Sequence, residues 1–319
     1  MKIVVLDGYT LQQHDLSWVK LQTLGDVIVY DRTASEEIIT RAQDADIILT
    51  NKTPLTAETL EQLPNLRYIG VLATGYNIVD VETARKRGIP VTNVPTYGTN
   101  SVAQFVFALI LELVQQVGIH ASSVASGEWA ACPDFSFTRT PLIELAGKTI
   151  GLIGLGKIGH QTAVIARAFG MNVIAAGSGR RSPTPVKGIE WVDLPQLLTR
   201  ADVVSLHCPL TPDTFQLINK DRLKLMKSSS YLINTSRGQI IAEQDLAEAL
   251  HNGKLAGAAL DVLSIEPPPQ DHPLLHAPNC IITPHIAWAS KEARERLMDT
   301  AVENVRQFQA GALIHVVNL

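Results

Sequence analysis

One stretch, Thr149-Ile-Gly-Leu-Ile-Gly-Leu-Gly-Lys-Ile-Gly159, constrains the fold of this chain more than any other. It sets Gly154, Gly156 and Gly159 in a G-x-G-x-x-G spacing, after an apolar run and before a segment of helical apolar spacing. In a dinucleotide site the first glycine makes the tight turn and the second lets main chain approach a pyrophosphate. The third packs helix against strand, and the helix N-terminal amides aim at the anion. A lone glycine pattern says little; the strand–turn–helix context gives this one its weight. Lys148–Ile153 reads as a buried parallel strand, His160–Phe169 as a helix stopped by Gly170, and Met171–Ala176 as the next strand. Together they make a βαβ unit.

The end of that second strand bears on the cofactor. An acidic residue about 20 residues on usually holds the ribose 2′-hydroxyl of NAD. Here the chain reads Gly177-Ser178-Gly179-Arg180-Arg181, with no carboxylate. A guanidinium suits a 2′-phosphate by charge and bidentate hydrogen bonding, which favours NADP(H) over NAD(H). The plain alternative is a solvated basic loop, with NAD(H) as cofactor.

The motif sits late, with 148 residues ahead of it, so another unit precedes it. Residues 1–100 alternate strand signals (Lys2–Asp7, Val27–Tyr30, Asp46–Thr50, Leu66–Leu72, Ile89–Asn93) with helical stretches such as Ser35–Ala42 and Val79–Arg87. That alternation predicts a parallel α/β sheet of its own. A second series follows: Ile150–Ile153, Val173–Ala176, Val203–Leu206, Tyr231–Asn234, Gly257–Leu260 and Cys280–Thr283. A long amphipathic helix, Lys291–Gln309, comes last. The fold class expected is α/β, with two Rossmann-like or flavodoxin-like doubly wound parallel-sheet domains and a cleft between them. Ser101–Val117 is apolar almost all round, as a helix buried at a domain or subunit boundary would be.

At 319 residues the chain has room for two ordinary domains, and 46% hydrophobic against 18% charged residues fits a packed protein. A net charge of −4 offers no general field for nucleic acid. Cys132, Cys208 and Cys280 have no CxxC spacing, which argues for reduced thiols and against a metal site. The first strand is too short for a signal peptide, and Phe105–Leu111 is far short of a membrane span. No membrane association and a cytoplasmic location are therefore expected.

Three polar groups stand at predicted strand ends: Arg237, Glu266 and His285. Reduction of a 2-keto acid needs a cation for the carboxylate and carbonyl, and Arg237 offers a planar donor fork. It needs a proton donor near neutral pH, which His285 can supply. A carboxylate on the imidazole, Glu266, would orient it and favour its charged form. Singly, each has a plainer reading, His285 as a loop residue and Glu266 as a solvated one.

Six motifs in order now carry a resemblance. They are Val71-Leu-Ala-Thr-Gly-Tyr-Asn-Ile-Val-Asp80, Asn100-Ser-Val-Ala-Gln104, Gly154-Leu-Gly-Lys-Ile-Gly159, Asn234-Thr-Ser-Arg-Gly238, Leu260-Asp-Val-Leu-Ser-Ile-Glu-Pro267 and Pro284-His-Ile-Ala-Trp288. Over essentially its full length the chain resembles the D-isomer-specific 2-hydroxyacid dehydrogenases. The resemblance implies that Arg237 binds and polarises substrate, that His285 is the acid/base and that Glu266 supports it. It implies that backbone amides of Ala73, Thr74 and Gly75 bind the substrate carboxylate and that Asp261 holds the nicotinamide carboxamide. It also lines the cofactor with Lys157, Ile158, Cys208, Pro209, Thr214 and Thr235, beside the glycine turn Gly154, Gly156 and Gly159 and together with Ser236, His285 and Ala287. Ser178, Arg180 and Arg181, where the family's usual acidic residue is missing, are the candidates at the ribose. For Cys208 a purely main-chain contribution is the preferred reading. The family fold implies a substrate domain of residues 1–100 plus 289–319, a dinucleotide-binding domain of residues 101–288, and a homodimer formed through the latter.

Trp288, following His-Ile-Ala, resembles the glycerate dehydrogenase and hydroxypyruvate/glyoxylate reductase branch. A bulky indole beside the acid/base would favour hydroxypyruvate or glyoxylate over aromatic keto acids; packing in the hinge is its other reading. Gln104 departs from the family's usual glutamate as a neutral variation. Two rival functions remain. The corepressors called C-terminal-binding proteins share the architecture and the triad, which suggests a cofactor-sensing scaffold, although no long disordered tail is present. A phosphoglycerate dehydrogenase lacking its regulatory domain is the other, while the Glu–His pair disfavours a formate dehydrogenase.

Overall fold

The chain divides into two compact units, Met1–Gly98 together with Ala289–Leu319, and Thr99–Trp288. The structure, a computed structural model, describes residues 1–13, 15–177 and 186–318.

In the first unit, near-continuous runs of apolar residues become strands covered on both faces. They are β1 (Lys2–Val5), β2 (Asp26–Val29), β3 (Ile47–Thr50), β4 (Tyr68–Val71) and β5 (Val91–Thr92). All pair in parallel in the order β2-β1-β3-β4-β5. Every residue of β3 and β4 is buried, whereas β2 at the edge is only half-covered. The helix Lys291–Gln309 begins where Ser290 Oγ caps Ala293 N at 3.3 Å. Its buried residues recur every three or four positions, from Ala293 through Leu297 and Ala301 to Val305, which makes a stripe that covers the sheet. Phe308 packs against Tyr68 of β4 with centroids 4.7 Å apart and the rings tilted by 32°. Beyond the helix, Val316 pairs antiparallel with Thr92, and Asn318 Oδ1 accepts from Val91 N at 2.8 Å.

In the second unit the strands are β6 (Thr149–Ile153), β7 (Asn172–Ala176), β8 (Glu190–Trp191), β9 (Val203–Leu206), β10 (Tyr231–Asn234), β11 (Gly257–Leu260) and β12 (Cys280–Ile282). They form one parallel sheet in the order β12-β11-β10-β9-β6-β7-β8. From β6 the chain first winds outward to β7 and β8, then returns to place β9 on β6's other side. Ligands of doubly wound sheets bind at such a reversal, outside the strands' carboxyl ends. The sheet is covered on one face by Leu197, Leu198, Leu246 and Leu250, and on the other by Val106, Ile110, Ala163 and Ala166. The expected strands are all present; β8 was not foreseen.

The apolar segment expected as one helix over Ser101–Val117 is two. Thr99–Gln115 buries Val102, Val106, Ile110 and Leu113, while Val117–Ala125 continues at a 58° bend. Gln116, with φ +46°, makes the break. Among the described residues no single helix is long and apolar enough to cross a membrane, and no cluster of three His, Cys, Asp or Glu side chains is placed to hold a metal.

Candidate active site

The glycine turn follows β6. Gly154 has φ +95°, and a Cβ there would lie 2.8 Å from the His207 carbonyl carbon. A Cβ on Gly159 would run into the Gly154 carbonyl oxygen, so the helix Lys157–Ala168 starts as close to the strand as backbone permits. Gly156 differs: a Cβ there would meet nothing within 4 Å. It caps the helix in an extended conformation without a side-chain hydrogen bond, and the first helical bond runs from His160 N to Gly156 O at 2.8 Å. Amides of this first turn need partners from outside the helix. An open face at the second glycine and a helix start with no side-chain cap fit a pyrophosphate. Lys157 is exposed and Ile158 half-buried at this turn.

The neighbouring strand end is shaped for main-chain contact. Burial pushes the Cys208 thiol up to about 11, so it is no nucleophile at neutral pH. Burial likewise pulls His207 down to about 4, which keeps an uncharged ring beneath the glycine turn, with Nε2 2.9 Å from Ser205 Oγ. Thr214 Oγ1 donates to Pro209 O at 2.6 Å and accepts from Thr211 N at 2.7 Å, closing the loop that follows Cys208.

After β10 the main chain turns on Asn234. Its Oδ1 accepts from Ser236 N, and its Nδ2 donates to Arg237 O, each at 2.9 Å. Ser236 Oγ donates to Leu206 O at 2.7 Å, joining this turn to the end of β9. Thr235 Oγ1 is buried yet has no hydrogen-bond partner among the described residues, which leaves a polar atom for a ligand. Arg237 is exposed, with Nη1 donating to Ser236 O at 2.7 Å. Gly238 lies against the turn after β11, where a Cβ would overlap the Leu263 carbonyl carbon.

That turn carries Glu266. Its Oε1 accepts from Leu263 N at 3.1 Å, and its Oε2 lies 2.7 Å from His285 Nδ1. With Nδ1 donating to the carboxylate, Nε2 is the ring atom left for proton transfer. His285 itself has φ +55°, a left-handed conformation. Asp261, at 1% exposure, holds the main chain around it. Oδ1 accepts from Thr283 Oγ1 at 2.6 Å and Ile286 N at 2.9 Å, and Oδ2 from Ala287 N at 2.8 Å. Burial raises the Asp261 pKa against the pull of these donors. The family resemblance implies Asp261 only as a cofactor contact, not as a clamp on this main chain. Its bonds to Thr283, Ile286 and Ala287 reach 22 to 26 residues along the chain, and no local pattern announces them. Ala287 O in turn accepts from Ser101 Oγ at 3.0 Å, and half-buried Trp288 ends the unit.

The second unit thus brings Glu266, His285 and Asp261 together and sets Arg237 and Gly238 on the adjoining strand end. Ala73, Thr74 and Gly75 belong to the first unit, at the carboxyl end of β4. There Thr74 Oγ1 donates to Val94 O at 2.9 Å and Asn51 Nδ2 to Leu72 O. Among the described residues, none accepts from the amides of Ala73, Thr74 or Gly75. Ser178, Arg180 and Arg181 lie outside the described residues.

Comparison with known proteins adds four findings. The sequence pattern of the family described as "D-isomer specific 2-hydroxyacid dehydrogenase, NAD binding domain" matches residues 107–287. A hydroxypyruvate reductase of Blautia hydrogenotrophica is 53% identical over 321 residues, covering 100% of both chains. A glycerate dehydrogenase of Methylorubrum extorquens is 43% identical over 284 residues, 88% of each chain. Among solved structures, an acyclic imino acid reductase in complex with NADPH and D-Arg superposes with a TM-score of 0.87 at 34% identity, over 99% of this chain and 100% of the other.

Proposed function

The chain belongs to the D-isomer-specific 2-hydroxyacid dehydrogenases, NAD(P)-dependent oxidoreductases, and from that premise we propose that it reduces hydroxypyruvate or glyoxylate to the corresponding 2-hydroxy acid. The observation that carries this reading is the Glu266–His285 pair at 2.7 Å, set on strand ends of the sheet that also bears the glycine turn.

The hydride for the carbonyl carbon would come from a reduced nicotinamide cofactor held at the glycine turn. His285 donates the balancing proton from Nε2 to the carbonyl oxygen, while Glu266 keeps Nδ1 occupied and the ring oriented. Arg237, an exposed fork of donors, takes the substrate carboxylate and polarises the carbonyl. Among the described residues the amides of Ala73, Thr74 and Gly75 meet no acceptor, which makes them a candidate anion contact within the first unit. Trp288, three residues after His285, limits the acid to a small one. The pyrophosphate would lie on Gly156 and the amides of Lys157 and Ile158. Thr235 Oγ1, after β10, is a separate polar atom left for the cofactor.

For the cofactor we favour NADP(H). Gly177 stands directly after β7, where an acidic side chain would suit NAD, and two arginines follow within four residues. We also propose a homodimer formed through the second unit. Val117, Ile119, Val124 and Leu142 are exposed, Trp129 is 50% exposed and Phe135 90%, an apolar surface of the kind that marks a contact with another chain.

Steady-state oxidation of NADPH and NADH with hydroxypyruvate, glyoxylate, pyruvate and phenylpyruvate tests the reading. We expect the highest kcat/KM with NADPH and the first two acids. Preference for NADH would reduce the arginines to a solvated loop, and silence with every acid would favour a cofactor-sensing scaffold.

A further inference from the structure

Glu266 stands on a short turn, and polar groups outside the chemistry proposed above hold that turn from behind. Ser264, two residues before Glu266, donates its main-chain N–H to Glu243 Oε1 at 2.7 Å and its hydroxyl to Glu243 Oε2. His272 Nε2 lies 3.2 Å from the same Oε2. Nδ1 of His272 accepts from Leu274 N at 3.4 Å, so the ring proton is on Nε2 and points at the carboxylate. From another side Gln239 Nε2 donates to Ser264 O at 3.0 Å.

This is not a solvated surface loop. The side chains of His272 and Glu243 are only 8% and 11% exposed, and a carboxylate so covered is costly unless donors surround it. Three donors converge on it, two of them from Ser264. The consequence reaches Glu266 within two residues. Leu263, next to Ser264, gives its N–H to Glu266 Oε1, and Glu266 Oε2 meets His285. Glu243 itself sits at the start of the helix Glu243–His251, six residues after Arg237, on the segment whose Gly238 packs against Leu263. One carboxylate therefore registers the Glu266 turn against the strand end that carries Arg237.

We propose that Glu243 is a positioning residue for the Glu266–His285 pair, acting through Ser264 and itself held by His272. The proposal rests on the function proposed above, so its test needs one readout that depends on turnover and one that does not. The first is kcat and KM for hydroxypyruvate with NADPH and NADH on the full chain. The second is the downfield proton resonance of His285 Nδ1–H, assigned by its loss in Glu266→Gln.

In Glu243→Ala we expect kcat to fall about 10- to 100-fold, as a misplacement near 1 Å would cause, with both KM values within about twofold. The His285 resonance should shift or broaden away. Glu243→Gln keeps one oxygen acceptor but turns an amide NH2 toward a donor on the other side, so its kcat should fall between the parent chain and Glu243→Ala. The double variant Glu243→Ala/Glu266→Gln should be no slower than Glu266→Gln alone, because both act on one pair. Ser264→Ala removes a single donor and covers the case in which Glu243→Ala does not fold; a loss of about threefold is expected from one hydrogen bond. A folded Glu243→Ala with parental kcat and resonance overturns the proposal, and so do additive losses in the double variant. If the parent chain reduces no 2-keto acid, the functional reading falls. The resonance then decides: unchanged in Glu243→Ala it sinks the positioning role, displaced it supports it.

Discussion

A left-handed backbone such as that of His285 costs a residue other than glycine about 1–2 kcal/mol, and Asp261 offsets it by accepting from Thr283 Oγ1 and from the next two amides. His207 plays a comparable supporting part under the glycine turn, and there a pH dependence follows. Its folded pKa of about 4 lies below the ordinary 6.5, so the unfolded chain binds the proton more readily. The stability this group contributes is present above pH 6.5 and is lost as pH falls through about 4. A drop from 6.5 to about 4 corresponds to about 3 kcal/mol as an upper bound, since the residue is not fully shielded from water. Urea midpoints at pH 7 and pH 4.5 should therefore differ more in the parent chain than in His207→Gln; equal differences would clear His207 of the effect. At this scale the glycines, Arg237, Glu266 and His285 were legible because each sits in a short contiguous motif. Asp261 as a backbone clamp and Glu243 behind Ser264 were not, because their partners arrive from distant strand ends only when the sheet closes.

Period and punctuation identified most elements, since parallel strands read as unbroken apolar runs and helices stop at Gly170 or start at caps such as Ser290. Two misreadings have physical causes. The strand β8 is two residues long and half-exposed, too short to show any periodicity. The Ser101–Val117 segment is uniformly apolar, so nothing in its pattern marks Gln116 as the residue whose positive φ bends the chain away. Past that bend the helix Val117–Ala125 buries only Ser123, and the following loop carries Trp129 and Phe135 outward. If this surface is where two copies meet, Phe135→Asp with Trp129→Ala should convert the protein to a monomer in sedimentation equilibrium while far-UV dichroism stays unchanged. A parent chain that already sediments as a monomer would remove the proposal.

The first unit is assembled from both ends of the sequence, and its sheet is covered by the helix that comes last. Ending the chain at Trp288 would uncover Tyr68, take Val316 from Thr92 and leave Val91 N without Asn318. We expect such a truncated protein to lose residues 1–98 to limited proteolysis and to keep a resistant fragment within Thr99–Trp288 that still binds NADPH or NADH in a fluorescence titration. Resistance of residues 1–98 would show that their sheet stands without the last helix. The alternation of strand and helix made two parallel sheets readable from sequence, but no local signal says that β5 will be joined by residues more than 220 positions away. Order of synthesis gives that distance a meaning. On the ribosome β1 to β5 emerge first, yet they wait for the 221 residues after Gly98. At about 5–20 residues per second the delay is roughly 10 to 45 s. Throughout it an apolar sheet face is open to chaperones and to neighbouring chains, so the nascent protein is most vulnerable in the half that is made earliest.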